Sequence, residues 1–518
     1  MNKIRRYMLP TATLLTALLL AISCGGNGTT PDTPDVPDAP DAMTVTPLEY
    51  AAAQAGDKFT ITVTSPARPV AVSDQSWVKL TDGTYKDYKI SYPVEVEANE
   101  TTSERSASIT VKSGTFSETV TVTQPGKEAA PVEDFLAEIT PGTNAAWQMA
   151  SRLGLGWNLG NQLDAHNNGV ADETVWGNSK ATQQTFNGLK SKGFTSVRIP
   201  VTWMGHIGAA PDYKIEDAWM ERVAEVVGYA REAGLNAIIN IHHDGADSQY
   251  WLNIKKAAAS SAERETITAE FKAVWKQIAT RFKDEGEYLI FEAFNEIHDG
   301  GWGWGGNRTD GGAQYKIVSD WVQAFVDVVR ATGGNNATRY LGIPGYCANP
   351  QMTVDNLVLP QDSADGRLLV AVHCYDPSDY TLENKYDEWG HTAKNNPAPT
   401  GEKEIVEVLA MLKKAYIDKG IPVYMGESGC TSRDTQRQTL FQKYWFEFVY
   451  KACRNYGIAP FVWDNGAKGT GREASGFIDH ASGAYIGVGE TMVGAMKKAV
   501  FSDSQSYTLK SVYDNAPN

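Results

Sequence analysis

Between residues 43 and 126, apolar and polar side chains alternate in short runs such as FTITVTS, YPVEVEAN, ASITVKS and ETVTVTQ, separated by Gly, Asn and Ser. A period of two turns one face of each run inward and the other to water, which is how the strands of an all-β sandwich read. After the segment KEAAPVEDF the pattern changes. Apolar β-rich runs now alternate with stretches in which apolar residues recur at three and four, as in DAWMERVAEVVGYAREAG and QTLFQKYWFEFVYKACRNYG. Those stretches form helices with one buried stripe, and strands separated by helices pair in parallel. The strand candidates LGLGWNLG, TSVRIPV, NAIINIH, YLIFEAFNE, TRYLGIPGY, LLVAVHCY, PVYMGES and APFVWDN are eight in number. Eight strand–helix units over residues 141–518 predict an α/β domain of the (β/α)8 TIM-barrel type, joined through residues 127–140 to the sandwich of residues 43–126.

Ahead of the sandwich, Lys3, Arg5 and Arg6 precede an apolar run from Met8 to Ile22, the form of a secretory signal over residues 1–23. Ala21, Ile22, Ser23 and Cys24 resemble a bacterial lipoprotein cleavage box, in which Cys24 becomes the acylated first residue of the mature chain. Ordinary signal cleavage with an incidental cysteine is the alternative. Residues 24–42, largely GGNGTTPDTPDVPDAPDA, repeat Pro and Asp with nothing to bury and read as an extended tether. The expected location is the bacterial outer membrane, with the chain lipid-anchored through Cys24 and facing the cell surface.

Composition narrows the function classes. Hydrophobic residues at 42% and charged residues at 21% are enough for a sizeable core. A formal net charge of −15 argues against a nucleic-acid partner, which would need clustered Lys and Arg. Cys347, Cys374, Cys430 and Cys453 have no CxxC spacing and read as free buried thiols. A monomer with neither cofactor nor metal is expected.

Polar residues gather at the ends of the strand candidates: Arg198, His242, Asn295, Glu296, His373, Tyr375, Glu427 and Trp463. In a barrel these ends converge on one face, where loops form the active site and a charge is tolerated better than in the packed interior. Any one of them alone reads as a capping or hydrogen-bonding residue; eight together point to chemistry. Glu296 and Glu427, on the fourth and seventh strands, can face each other across the mouth, as acetal cleavage by double displacement requires. Arg198 and Tyr375 suit the task of keeping Glu427 ionised and oriented. Asn295 can reach a sugar 2-hydroxyl, and His242 and His373 can tune the carboxylates. His243 can share that tuning or bind substrate, and ranks behind His242, since neighbouring strand residues point to opposite sides. Glu292 shares the inward face of Glu296 and reads as a hydrogen-bonded carboxylate of the barrel interior. Trp463 is expected to floor the site beneath a sugar ring; Trp302 and Trp304, in a Gly-rich loop, to touch substrate; and Asn161 and Asp164, helped by His166, to contact hydroxyls. Trp157, Trp203 and Trp251 read equally as core or as substrate contacts.

Two resemblances follow from these residues. Trp77 in SWVKL, Asn99 and Arg105 in ANETTSERSASITV, and Gln124 in VTVTQPG make residues 43–126 similar to the small immunoglobulin-like BACON domains that precede carbohydrate-active enzymes in Bacteroidetes-type bacteria. A lone Trp77 is more often core than sugar platform, so the module reads as a spacer. From about Leu136 onward the chain resembles glycoside hydrolase family 5. The carriers, in the family's order, are GWNLGNQLDA, the WGN of Trp176 to Asn178, GFTSVRIPVTW, NIHHDG, FEAFNE, AVHCYDP, YMGES and FVWDN. The resemblance implies Glu296 as acid/base, Glu427 as nucleophile, and support from Arg198, His242, Asn295, His373, Tyr375 and Trp463. It implies an endo-acting enzyme on a β-1,4-glucan such as xyloglucan, mixed-linkage β-glucan or cellulose.

Other readings carry less. A metal hydrolase is suggested by the HHD of His242 to Asp244 with His373, but no HExxH or comparable spacing supports it. A non-catalytic glycan-binding protein would not need the carboxylate pair. Mannanase or xylanase action on the same barrel is not distinguished by sequence.

Overall fold

The computed structural model describes residues 39–101, 103–127 and 134–518. The signal segment and Cys24 lie outside them.

Residues 44–124 form two four-stranded sheets packed face to face. One orders Thr44–Thr46, Asp57–Thr64, Lys89–Val96 and Val78–Leu80; the other orders Glu49–Ala51, Phe116–Gln124, Arg105–Ser113 and Val70–Ser73. Strict alternation in Lys89–Val96 buries Ile90, Tyr92, Val94 and Val96, which meet Ile109, Val111, Val120 and Val122 of the facing sheet. The motif residues of this module are structural. Asn99 and Gln124 are fully buried and hold loop carbonyls, and the Arg105 guanidinium covers the Trp77 ring at 4.1 Å.

The eight strand candidates all form, and they close a parallel barrel in sequence order. They are β1 (Gly156–Asn158), β2 (Ser196–Ile199), β3 (Asn236–Ile239), β4 (Leu289–Glu292), β5 (Leu341–Pro344), β6 (Leu368–His373), β7 (Val423–Ser428) and β8 (Ile458–Val462). Their outward residues pack on the helices in one continuous core with Trp157, Trp203, Trp275 and Trp445. Trp157 and Trp203 are fully buried, which settles both as core, and the part-buried Trp251 donates from Nε1 to Asp244. The two amphipathic stretches form Asp217–Glu232 and Gln436–Asn455, the second opened by a Thr435 capping box.

Inward residues fill the barrel in layers. Ile238, Ile290, Leu369, Ala371, Ala459 and Phe461 form the floor, closed from below by Met149 and Leu153 of the helix Ala145–Leu153. Gly156 leaves the space that the Phe461 ring occupies: a Cβ there would stand 2.1 Å from a ring carbon. Above this apolar floor the inward positions become polar, and the functional site begins. Cys347, Cys374, Cys430 and Cys453 are free and buried.

Candidate active site

Arg198, near the end of β2, is fully buried and would be costly there without partners. Its Nη1 donates to Glu427 Oε1 at 2.7 Å and to Asn158 Oδ1 at 3.0 Å. Its Nη2 donates to Asn295 Oδ1 at 2.8 Å, which leaves the Asn295 amide N–H groups free to face a ligand. Tyr375 donates its hydroxyl to the second oxygen of Glu427 at 2.9 Å. Burial, reinforced by the Glu427 charge, pushes the Tyr375 hydroxyl well above the usual phenol range, so it remains a donor.

Glu296 follows Asn295 just beyond β4 and meets His373, whose Nδ1 lies 2.7 Å from Oε1. The same nitrogen is 3.8 Å from Glu427 Oε2. Burial opposes the charge on Glu296, but the hydrogen bond and positive charge of His373 outweigh it and hold the carboxyl below its ordinary value. Burial likewise opposes a charged His373, yet Glu427 and Glu296 raise it. Each group thus favours the charged form of the other. Oxygens of Glu296 and Glu427 lie within 4.8 Å of each other.

Both His373 and Glu427 sit at register shifts, between Val372 and His373 and between Met425 and Ser428. A bulge re-aims side chains at the rim of a barrel, and here it breaks the simple alternation of β6 and β7 where the two polar groups turn to the mouth.

His242 is buried, and its Nδ1 lies 3.1 Å from the amide nitrogen of Asn240. Val201 N–H donates to Asn240 Oδ1, so that amide presents N–H groups to His242. Nδ1 is therefore the acceptor and the proton sits on Nε2. Burial first, then the charges of His243 and Arg198, hold His242 well below its ordinary value and neutral. Its ring lies parallel to Trp463, centroids 6.0 Å apart. Trp463 is half-buried at the end of β8, against Gly160.

His243 lines a second group with His166, Trp176 and Tyr250, its ring 5.5 Å from Trp176. Asn161 adopts φ +57° and donates its backbone N–H to Asp164. Asp164 corrects the sequence expectation: it is fully buried, and its two oxygens accept from the N–H groups of Asn161 and Gln162, so it shapes the loop after β1 instead of facing substrate.

Trp302 and Trp304 are exposed, at 54% and 73%. Their loop is ordered by Asp299, which accepts from Gly301 N–H at 3.0 Å, Asn307 N–H at 2.9 Å and Gln314 Nε2 at 3.2 Å. Trp302 packs on His298 at 4.2 Å, and the Arg308 guanidinium covers Trp304 at 4.2 Å. Sequence assigns no role to Asn158, Asn240, Tyr424 or Asp299, although the first three stand inside the motifs GWNLGNQLDA, NIHHDG and YMGES.

Among the described residues, two donor groups, Glu296–His373–Glu427 and Asp164–His242–His243, are close enough to hold an ion. In the first, Arg198 already supplies positive charge to Glu427; in the second, backbone N–H groups occupy Asp164 and an amide occupies His242 Nδ1. His243 Nε2, by contrast, has no hydrogen-bond partner among the described residues.

Two facing carboxylates, one held by a guanidinium and a phenol and the other by an imidazole, at the mouth of a (β/α)8 barrel, define the class of carboxylate glycosidases. A family model described as cellulase (glycosyl hydrolase family 5) matches residues 162–469, and one described as BACON, putative binding domain, N-terminal, matches residues 62–125. The chain belongs to glycosyl hydrolase family 5. A solved Bacteroidetes-affiliated family 5 cellulase linked with a polysaccharide utilization locus is 50% identical, with a TM-score of 0.72 over 73% of this chain and 99% of that one. A broad-specificity endoglucanase from Bacteroides salanitronis is 53% identical, with a TM-score of 0.68 over 73% of this chain and 100% of that one. A xyloglucan-specific endo-β-1,4-glucanase of Bacteroides ovatus is 32% identical over 79% of this chain and 83% of the relative.

Proposed function

We propose that the protein is a retaining, endo-acting glycosidase that cleaves internal β-1,4-glucosidic bonds of a plant cell-wall glucan, with Glu427 as nucleophile and Glu296 as acid/base. The observation that carries this reading is the approach of Glu296 and Glu427 oxygens to within 4.8 Å. Retaining enzymes hold their carboxyl groups about 5–5.5 Å apart, whereas inverting ones leave roughly 6.5–9.5 Å for a water.

In the first step a Glu427 oxygen bonds to the anomeric carbon while the glycosidic C–O bond breaks and Glu296 gives a proton to the departing oxygen. Arg198 and Tyr375 donate to the two oxygens of Glu427 and so aim the attacking carboxylate. The proton is drawn along the 2.7 Å hydrogen bond from His373 as the leaving oxygen gains basicity. In the second step Glu296 takes a proton from water, whose oxygen attacks the same carbon as the carbon–Glu427 bond breaks, and the proton passes back along the hydrogen bond to His373. Asn295 donates to the sugar 2-hydroxyl, a bond that strengthens toward the oxocarbenium-like transition state. Trp463 offers an aromatic face to the apolar face of the ring.

The relatives named as endoglucanases and as a xyloglucan-specific enzyme support a β-glucan substrate. Initial rates of reducing-end release from xyloglucan, mixed-linkage β-glucan, carboxymethylcellulose, xylan and mannan test this. Release concentrated on the first three is expected; release from mannan or xylan alone would replace the reading. The anchor rests on the sequence around Cys24, and incorporation of labelled palmitate that is lost in Cys24→Ser is expected, with the label in outer-membrane fractions.

A further inference from the structure

Glu292 takes no part in the steps above, yet it receives more hydrogen bonds than either reacting carboxylate. It ends β4, is 1% exposed, and precedes Glu296 by four residues. Arg198 donates to it from Nε at 3.1 Å and from Nη2 at 2.7 Å, Asn240 from its amide at 2.8 Å, and Tyr424 from its hydroxyl at 2.6 Å. On the neighbouring strand, Gly342 pairs opposite Glu292. A Cβ at Gly342 would stand 2.3 Å from the Tyr424 hydroxyl oxygen, so the glycine keeps open the space for the Tyr424–Glu292 contact.

Resting on the assignment of Glu427 and Glu296 above, we propose that Glu292 is a positioning residue for the reaction: it balances the charge of Arg198 and, through Asn240, fixes which nitrogen of His242 carries the proton. Arg198 lies between two carboxylates, Glu292 and Glu427, so neither receives its full charge. By holding Nε and Nη2, Glu292 turns Nη1 to Glu427 and aligns Nη2 with Asn295. By accepting from the Asn240 amide it keeps that amide's N–H groups toward His242 Nδ1. One buried charge thereby aims the nucleophile, the 2-hydroxyl donor and the neutral imidazole.

The charged and titratable groups around Glu292 are Arg198 from β2, His242 behind Asn240 after β3, His373 from β6, and Tyr424 and Glu427 from β7; β5 contributes only Gly342. Burial raises Glu292, but Arg198 outweighs it and holds the carboxyl below its ordinary value, while burial and the Glu292 charge push Tyr424 well above the phenol range. The carboxylate therefore stays charged and the phenol stays a donor.

The test is the pH profile of kcat/KM on soluble glucan for the full chain and two variants of it. Glu292→Gln removes the balancing charge; the guanidinium then favours ionised over protonated carboxyl throughout the site, so the bell moves to lower pH by about 0.5–1 unit. Loss of alignment lowers kcat at its optimum by at least about tenfold. Tyr424→Phe withdraws a donor and leaves Glu292 a stronger partner for Arg198, so the bell moves the opposite way. A purely structural role would lower the curve without moving its midpoint. Unmoved midpoints in both variants overturn the proposal, and if Glu292→Gln does not fold, an unmoved midpoint in Tyr424→Phe does so alone. Failure of the carboxylate assignment would show separately, as a β-azide product from Glu427→Ala.

Discussion

His373 and Glu296 share a single hydrogen bond of 2.7 Å, in which the imidazole is pushed toward its charged form and the carboxyl toward its ionised form. Each group in this bond favours the charged form of the other, and both are largely buried.

Removing the imidazole tests this coupling. A raised histidine stabilises the fold fully below its ordinary value of 6.5 and loses that contribution as pH climbs through its folded value. A lowered carboxyl contributes above its ordinary value of 4.5 and loses it as pH falls. The destabilisation caused by His373→Asn is thus expected to be largest between about pH 4.5 and 6.5 and to shrink toward pH 9, as read by thermal melting across pH. A constant difference at every pH would leave the pair without its charge.

Glu427→Ala is expected to lose turnover by a factor on the order of 10⁴ or more while still binding glucan. Added azide then restores turnover and gives a glycosyl azide of inverted configuration. Azide with Glu296→Ala, on a substrate with a good leaving group, gives the β-azide. NMR of the products distinguishes the two, and a β-azide from Glu427→Ala would reverse the assignment.

Trp304 is held from behind by Arg308 and exposes its other face. Trp304→Ala is expected to raise KM for polysaccharide by about 3- to 10-fold with kcat nearly unchanged, the signature of binding shared equally by ground and transition states. The same variant should act normally on a short aryl glycoside. Equal loss on both substrates would place Trp304 elsewhere in function.

At the barrel floor, Gly156→Ala drives a methyl group into the Phe461 ring. Overpacking of this kind costs about 1–3 kcal/mol, visible as a lower denaturation midpoint. A wild-type midpoint would mean that Phe461 has another rotamer to occupy.

Much of this architecture is legible in the order of residues. All eight barrel strands form where apolar runs and turn signals place them, because each strand is buried on both faces and cannot be mistaken for a surface element. Arg198, His373, Tyr375 and Glu427 come together as their strand-end positions predict. Asp164 did not follow its pattern, because a carboxylate that accepts backbone N–H groups in a turn looks, in sequence, like one that reaches for sugar. Asn240 and Tyr424 escaped for a related reason. A polar residue inside a strand reveals its partner only once two strands distant in sequence are brought to face the same axis. The bulges at His373 and Glu427 are likewise invisible, since they alter aim without altering the hydrophobic pattern.

The tryptophan loop has a consequence for protein engineering. Asp299 ties its beginning at Gly301 and its end at Asn307 to one side chain, and Met352 supports it beneath Gly303. None of these ties involves Glu296, Glu427 or Arg198. The loop is in effect a cassette closed at its own base, so a graft that exchanges Trp304 must keep both Asp299 and Gly305, where a Cβ would stand 2.1 Å from Asp299 Oδ1.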